Sequence, residues 1–286
     1  MIKHPDYNSP TELKNFLESR NMAMQKKFGQ NFLINASARQ KLIDNLDVKE
    51  GMKVWEIGPG LGAMTSILLE RGVDLTVFEI DRGFASLISQ YFEDYAKNDK
   101  FHLVEGDVIK TWKAQLKEGQ PARLFGNLPY NIAATIIADT IEEGIRFDSC
   151  VFTVQKEVAQ RMCAKAGSED YSSFSVLCQW AYDLKPIMDL GGGNFWPKPN
   201  VDSRAVLLTK KEDWPNCKNP KSFVKLQRAL FSSRRKNVRN NLSSYLKNND
   251  MAMAYLQKAG IAPEKRAEVL SIQEILHLCD VIEGGV

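Results

Sequence analysis

The fold of this chain is set by the stretch Lys53-Val54-Trp55-Glu56-Ile57-Gly58-Pro59-Gly60-Leu61-Gly62-Ala63. Its first five residues are mainly apolar and β-prone, a composition that predicts a buried strand. The closely spaced glycines that follow predict a tight turn. The apolar residues from Ala63 to Arg71 then predict a helix. A strand, a glycine-rich turn and a helix in this order are typical of the first unit of a parallel α/β sheet.

The alternation of strand and helix continues along the chain. Further strands are predicted at 74–78, 101–104, 123–125 and 149–154. The helices predicted to follow them lie at 83–95, 132–137, 155–163 and 173–181. Such alternation indicates right-handed βαβ units and a largely parallel, Rossmann-like sheet. Two later strands, 184–190 and 205–210, have no helix between them, which predicts an antiparallel pair at one edge.

The chain divides into three predicted parts. Residues 1–25 form an N-terminal helix and arm, in which Ser9 caps a helix that has Pro10 at its first position. Residues 26–212 form the sheet domain. Residues 213–286 form a small all-α domain, which begins in a polar, proline-bearing linker and whose first helix is predicted to be capped by Ser222.

The net charge of +3 is unevenly placed. Residues 213–286 hold 12 Lys and Arg against 7 Asp and Glu, a charge of +5, and the remainder of the chain carries −2. A near-neutral body with a basic C-terminal part predicts a polyanionic partner that is contacted mainly from that end. A solvated charged surface is the alternative on charge alone.

Composition excludes several classes of protein. No apolar run approaches the roughly 18 residues that a membrane-spanning helix needs, and the N-terminus has no apolar signal region. The five cysteines are odd in number and contain no C-x-x-C pair, and the three histidines neighbour no cysteine or second histidine. We therefore expect a cytoplasmic protein with reduced thiols and no metal site.

The glycine turn and the acids at successive strand ends predict a nucleoside cofactor. Gly58 to Ala63 formally satisfies the dinucleotide fingerprint, and Glu79 lies 21 positions after Gly58, so an NAD enzyme is one reading. Glu56, however, would repel a pyrophosphate and suits a ligand with an amino group and a sulfonium, which describes S-adenosylmethionine. Asp107-Val108, after the third strand, fits an acceptor and an apolar wall for adenine. The alternative is a structural turn followed by acids that cap helices.

The loop Gly126-Asn127-Leu128-Pro129-Tyr130-Asn131 follows the fourth predicted strand. The side-chain oxygen of Asn127 and the carbonyl of Leu128 can accept hydrogen bonds from an exocyclic adenine amine, which draws its lone pair towards the methyl donor. Pro129 biases Leu128 to extended backbone, and Tyr130 offers a stacking face. The alternative is a proline turn with Tyr130 packed on the core.

Two more segments have the composition of a nucleic-acid contact. Phe195 and Trp196 follow three glycines and precede two prolines, which predicts either a mobile loop that closes over a base or aromatics packed at a strand end. The run from Ser232 to Leu242 predicts a helix that binds phosphate, on which Arg235 and Arg239 share a face. Its other basic residues are Arg234 and Lys236, and Lys26 and Lys27 add a basic pair in the N-terminal arm.

Taken together, these motifs resemble those of the rRNA adenine N6,N6-dimethyltransferase family, and most closely its bacterial small-subunit branch. The resemblance runs from about Lys26 to Leu278 and rests on the following segments: 27–33, 56–62, 79–81, 105–107, 127–131, 154–158, 197–203 and 234–236. It implies a class I S-adenosylmethionine-dependent sheet with one reversed strand, plus a small helical domain that grips RNA.

The resemblance also implies roles for individual residues. The predicted cofactor contacts are Asn31, Leu33, Gly58, Glu79, Asp107 and Asn127, to which the strand-end argument adds Glu56, Gly60 and Val108. Asn127, Leu128 and Tyr130 would hold the target amine and base, and Phe195 matches a second stacking aromatic. Gly192 stands where the family often has proline, a departure that bears on how ordered the Phe195 loop is. The implied partner is small-subunit rRNA in a maturing particle, bound by a monomer.

Three alternatives remain open on sequence alone. The substrate could be a large-subunit adenosine, as in antibiotic-resistance relatives. The chain could act mainly by occupying the particle as an assembly factor. An NAD dehydrogenase is the third reading, although no histidine or lysine that could handle a hydride lies by the glycine loop.

Overall fold

The computed structural model describes residues 3–24, 30–128 and 130–285, without the side chains of Tyr130 and Asn131. The strands are β1 Phe32–Leu33, β2 Lys53–Ile57, β3 Asp74–Glu79, β4 Phe101–Glu105, β5 Arg123–Asn127, β6 Ser149–Gln155, β7 Tyr182–Leu190, β8 Phe195–Trp196 and β9 Ser203–Lys210. The helices are α1 Pro10–Ser19, α2 Ala36–Leu46, α3 Ala63–Glu70, α4 Arg82–Tyr91, α5 Glu93–Lys97, α6 Val108–Gln115, α7 Tyr130–Glu142, α8 Lys156–Cys163, α9 Ser173–Ala181, α10 Pro220–Leu230, α11 Val238–Leu246, α12 Asn249–Lys258 and α13 Ile272–Glu283.

Seven strands form the main sheet in the order β4-β3-β2-β5-β6-β9-β7. The first five run parallel, and β9 is antiparallel to β6. The predicted α/β class with a mostly parallel sheet is confirmed. The two late strands predicted to form a pair at one edge, β7 and β9, lie next to each other at that edge of the sheet. Ile57, the last residue of β2, pairs with Phe78 of β3 and with Gly126 of β5, so these three strands have their carboxyl ends at the same level of the sheet.

The backbone divides into two compact units. The first unit holds Met1–Ile136, Phe147–Ala159 and Lys185–Thr209, and the second holds Ile137–Arg146, Gln160–Leu184 and Lys210–Val286. The predicted domain from 213 thus has its counterpart in the last segment of the second unit. The two earlier segments that join it carry no sequence signal of their own, because they read as ordinary parts of the α/β alternation.

Each unit has an apolar core. In the first unit the sheet packs against α2, α3 and α4, and the side chains of Leu42, Leu68, Leu75 and Ile88 have no solvent exposure. In the second unit the ring of Trp180 lies 4.5 Å from that of Phe223, and its indole nitrogen donates to the carbonyl of Pro215 at 2.8 Å.

Three local predictions are corrected by the structure. The single helix expected over 83–95 is two helices, α4 and α5. The helix α10 is capped by Asn219 rather than Ser222. The basic run Arg234 to Lys236 lies in a turn between α10 and α11, so Arg235 and Arg239 do not share a helix face. The Ser233 and Asn237 that interrupt the run favour a turn and a cap, and Asn237 does cap α11.

Within the described ranges, no helix has the length and apolar character needed to cross a membrane. In the same part of the chain, no group of three or more His, Cys, Asp or Glu side chains is placed to hold a metal ion.

Candidate active site

A cavity of about 490 Å³ lies in the first unit, at the carboxyl ends of β2, β3, β4 and β5. Its walls include ten residues predicted from sequence: Asn31, Leu33, Glu56, Gly58, Gly60, Glu79, Asp107, Val108, Asn127 and Leu128. These residues come from five separate segments of the chain. Four of these segments meet because parallel strands present their carboxyl ends at one edge of the sheet. The fifth, with Asn31 and Leu33, includes β1 of the separate two-stranded sheet.

The glycine loop joins β2 to α3 through left-handed backbone. The φ angles of Gly58, Gly60 and Gly62 are +71°, +56° and +85°, a region that L side chains rarely adopt. A Cβ added at Gly60 would lie 2.9 Å from the Phe32 ring, and one at Gly58 would lie 3.3 Å from Leu128. The loop therefore needs glycine at Gly60 for both its backbone conformation and its close neighbours.

Glu56 is a buried acid in the cavity wall, with 1% of its surface exposed. The hydroxyl of Thr65, on α3, donates to its carboxyl group at 2.8 Å. Burial raises the pKa of Glu56 to about 8, and the nearby Glu79 adds to the rise while the Thr65 hydrogen bond opposes it. A cation that enters the cavity would favour the ionised form of this carboxyl.

Glu79 ends β3 and holds two backbone amides. Its carboxyl group accepts from the N–H of Asp81 at 2.7 Å and from the N–H of Gly60 at 3.4 Å. Burial raises the pKa of Glu79 to about 7, against the lowering effect of those hydrogen bonds. Because Gly60 belongs to the glycine loop, one carboxyl group links the ends of β2 and β3.

Asp107 follows β4 and has two functions in the structure. One of its carboxylate oxygens caps α6 by accepting from the N–H of Ile109 at 3.0 Å. The side chain also lines the cavity beside Val108, which is 5% exposed. The alternative of a helix-capping acid is therefore correct for Asp107 and compatible with ligand binding, since a carboxylate has two oxygens.

Asn127 ends β5 with its amide held in one orientation. Its Nδ2 donates to the backbone carbonyl of Asn31 at 3.2 Å, so its Oδ1 is the acceptor that remains. The N–H of Leu128 donates to the carbonyl of Thr153 at 3.3 Å, which fixes the next peptide of the loop. Pro129 and the side chain of Tyr130 lie outside the described residues, so their predicted roles stay predictions.

Phe195 does not line the described cavity. It is 5% exposed and pairs with Leu33, because β8 and β1 form a two-stranded antiparallel sheet. Beside it the ring of Trp196 stacks on Phe32, with 6.2 Å between centroids. The structure thus has the packed form of the two alternatives for these aromatics. Sequence reasoning missed this pairing, because two-residue strands are too short to show a period.

The predicted RNA contacts are exposed where the structure describes them. Arg234 pairs with Glu268 at 3.3 Å, and Arg239 donates to Asn249 at 3.0 Å. Arg235 and Lys236 lie on the same turn and are exposed. Lys26 and Lys27 lie outside the described residues.

Tyr7, Leu13 and Arg39 are among the residues of the cavity wall that were not predicted. The hydroxyl of Tyr7 donates to the carbonyl of Leu61, in the glycine loop, at 2.9 Å. The N-terminal segment therefore contributes directly to the cavity. No motif marks these residues, because their positions follow from how α1 and α2 pack and not from local spacing.

Comparison with known proteins agrees with this geometry. Residues 21–283 match the family model of ribosomal RNA adenine dimethylase. The chain is 50% identical to the ribosomal RNA small subunit methyltransferase A of Treponema denticola, over 98% of this chain and 97% of that protein. It is 44% identical to the protein of the same name in Treponema pallidum, over 98% of each chain.

Two crystal structures have similar folds. A dimethyladenosine transferase from Plasmodium falciparum superposes with a TM-score of 0.73 at 25% identity, over 85% of this chain and 94% of that one. The 23S rRNA methyltransferase ErmE superposes with a TM-score of 0.64, over 88% of this chain and 99% of that one. At 19% identity the second likeness is one of fold alone.

Proposed function

This chain belongs to the ribosomal RNA adenine dimethylase family, and from that premise we propose that it methylates small-subunit rRNA. It transfers methyl groups from S-adenosylmethionine to the N6 amines of two adjacent adenosines near the 3′ end of 16S rRNA, giving N6,N6-dimethyladenosines. The observation that carries the proposal is the meeting of Asn127 with the strand-end acids Glu56, Glu79 and Asp107 in one cavity.

The polar and apolar groups of the cavity wall suit the parts of the cofactor. The Glu79 carboxyl, already turned into the glycine loop by its bond to Gly60, suits the two ribose hydroxyls. Asp107 and Val108 provide an acceptor and an apolar wall for the adenine. Glu56 provides a negative charge for the amino group and the sulfonium. When bound, S-adenosylmethionine supplies an electrophilic methyl group.

The loop after β5 aligns the target amine. The lone pair of an exocyclic adenine amine is delocalised into the ring, so the amine is a weak nucleophile. Acceptors at Asn127 Oδ1 and at the carbonyl of Leu128 hold its two N–H bonds and direct the lone pair at the methyl group. This is catalysis by orientation and fixed dipoles, without a strong general base. Tyr130 presents the base.

The second unit grips RNA through exposed basic residues. Arg234, Arg235, Lys236 and Arg239 lie on and beside the turn between α10 and α11 and bind backbone phosphates, with Lys26 and Lys27 as a second contact. The protein acts as a monomer on a maturing small-subunit particle in the cytoplasm. Phosphate contacts of this kind predict that particle binding weakens as salt is raised.

The glycine loop gives a prediction about cofactor binding. Gly60→Ala costs about 1–2 kcal/mol for the left-handed backbone and places its Cβ 2.9 Å from the Phe32 ring. Because the loop must shift, we expect the affinity for S-adenosylhomocysteine to fall about tenfold or more, measured by calorimetric titration. Gly51→Ala is the matched control, since its φ is +77° and its Cβ meets nothing within 4 Å. Equal losses in the two variants would contradict the stated cause.

Methyl transfer to isolated particles tests the proposed function. Small subunits from a strain that lacks this gene, mixed with the purified protein and methyl-labelled S-adenosylmethionine, should gain label as dimethyladenosine in 16S rRNA. Large subunits from the same strain, and small subunits from the parent strain, should gain none. Label on the large subunit would move the substrate to that particle. Binding to small subunits without label would favour an assembly factor.

A further inference from the structure

The cavity carries a positive charge that the site built above does not use. Among the described residues of its wall, Arg39 is the only lysine or arginine, whereas Glu56, Glu79 and Asp107 are acids. Arg39 lies in the first turn of α2 and is 6% exposed. A buried guanidinium costs free energy unless its charge is compensated.

The hydrogen bonds of Arg39 fix its position but do not balance its charge. Its Nη1 donates to the backbone carbonyl of Leu33 at 2.7 Å, and its Nη2 donates to the side-chain oxygen of Asn8 at 2.7 Å. Both acceptors are neutral groups. Burial lowers the pKa of Arg39 and outweighs the opposing effects of Tyr7 and of the Asp6 carboxylate. The bonds therefore hold a guanidinium in the cavity wall whose charge is compensated only in part.

The position of Arg39 selects one end of the ligand. The acids proposed for ribose and adenine, Glu79 and Asp107, follow β3 and β4, on one side of β2. Helix α2 packs against β5 and β6, which lie on the other side of β2. A ligand with its nucleoside towards β3 and β4 therefore has its amino-acid end towards Arg39. The anionic group at that end is a carboxylate, which guanidinium binds with strong, charge-assisted hydrogen bonds.

We propose that Arg39 is a further cofactor-binding residue, whose guanidinium is the counter-charge for the carboxylate of the methionine end of S-adenosylmethionine. This proposal rests on the proposed function for the identity of the ligand. It gives α2 and the N-terminal segment a direct part in cofactor binding, because Asn8 and Leu33 hold the guanidinium and Tyr7 closes the same wall. The acids of the cavity and Arg39 together match the two charges of the ligand's amino-acid end.

A pair of ligands that differ only in the carboxylate tests the proposal. Calorimetric titration compares S-adenosylhomocysteine with its decarboxylated analogue, in which hydrogen replaces the carboxylate. The wild-type protein should prefer the carboxylate ligand by about tenfold or more. In Arg39→Met the preference should fall to within about twofold, mainly through weaker binding of S-adenosylhomocysteine. Arg39→Lys should keep part of the preference, because it keeps the charge.

Arg228→Met is the matched control. It makes the same substitution at an exposed arginine of the second unit that does not line the cavity, so its preference should stay near that of the wild-type protein. Thermal unfolding without ligand reports whether each variant is folded. If Arg39→Met does not fold, the ratio of the two ligand affinities in the wild-type protein and in Arg39→Lys still tests the proposal.

Two results would overturn the role of Arg39. One is a wild-type preference below about threefold, and the other is a full preference kept by Arg39→Met. Either result would leave methyl transfer to 16S rRNA intact, since these titrations contain no RNA. Failure of the wild-type protein to bind either adenosyl ligand would instead contradict the proposed function, and the role of Arg39 with it.

Discussion

Asn127→Ala should nearly abolish methyl transfer while leaving cofactor binding in place. The variant removes the side-chain oxygen that aligns the target amine. In the wild-type protein this oxygen is held in orientation because Nδ2 of the same amide donates to the carbonyl of Asn31. Loss of one fixed dipole at a reacting centre typically lowers kcat by about 10²- to 10³-fold. Single-turnover transfer to undermethylated small subunits measures this step. Calorimetric titration with S-adenosylhomocysteine, which carries no reacting amine, should change by less than about threefold.

Two further variants separate orientation from general damage. Asn127→Asp keeps an oxygen at the position but loses the Nδ2 donor to Asn31, so part of the transfer rate should remain. Asn98→Ala, which removes an exposed amide that donates to the carbonyl of Asp94, should change neither readout. An equal loss of binding and transfer in Asn127→Ala would assign Asn127 to the cofactor instead of the amine.

The parts of the site that the sequence could predict are those fixed by local rules. Glu56, the glycine loop, Glu79 and Asp107 each end or follow a strand, and parallel strands deliver their carboxyl ends to one edge. Knowledge of the strands was therefore sufficient to place these residues together. The same logic placed Asn127 in the cavity, and the structure brings all of these residues to its wall.

The parts that the sequence could not predict depend on packing between distant segments. Arg39 sits on a helix whose apolar period gives no sign of a buried charge in a ligand cavity. Phe195 pairs with Leu33 across 162 positions through strands of two residues each, and no local pattern specifies such a contact. The turn at Arg235 shows a third limit. The spacing of the basic residues fits one face of a helix. The structure has a turn there instead, because Asn237 caps the start of α11 after the run.

Glu79→Gln should weaken cofactor binding and remove much of its pH dependence. The neutral amide accepts only weakly from the ribose hydroxyls, and a hydrogen bond to a charged group is worth about 1.5–3 kcal/mol, so affinity should fall about 10- to 100-fold. The pKa of about 7 for Glu79 supplies one part of the pH dependence, and the pKa of about 8 for Glu56 supplies another part that the variant keeps. Below these pH values the ligand-free cavity holds protons on both carboxyl groups that the ligand must displace. Affinity for S-adenosylhomocysteine should therefore rise with pH and level off above both pKa values.

The stability of the ligand-free protein should change with pH in the opposite sense. A carboxyl group whose pKa is raised from 4.5 to about 7 binds its proton more tightly in the folded chain than in the unfolded chain. The stability from that proton is present at acid pH and is lost as the pH rises from the unfolded value through the folded value.

Thermal unfolding at a series of pH values, with and without S-adenosylhomocysteine, measures both trends. The gain in Tm from the ligand should grow with pH in the wild-type protein and grow less in Glu79→Gln. Glu50→Gln, at an exposed site, should behave as wild type. Because the titration of the ligand itself is common to all three proteins, an unchanged pH profile in Glu79→Gln would show that Glu79 does not meet the cofactor as a carboxylate.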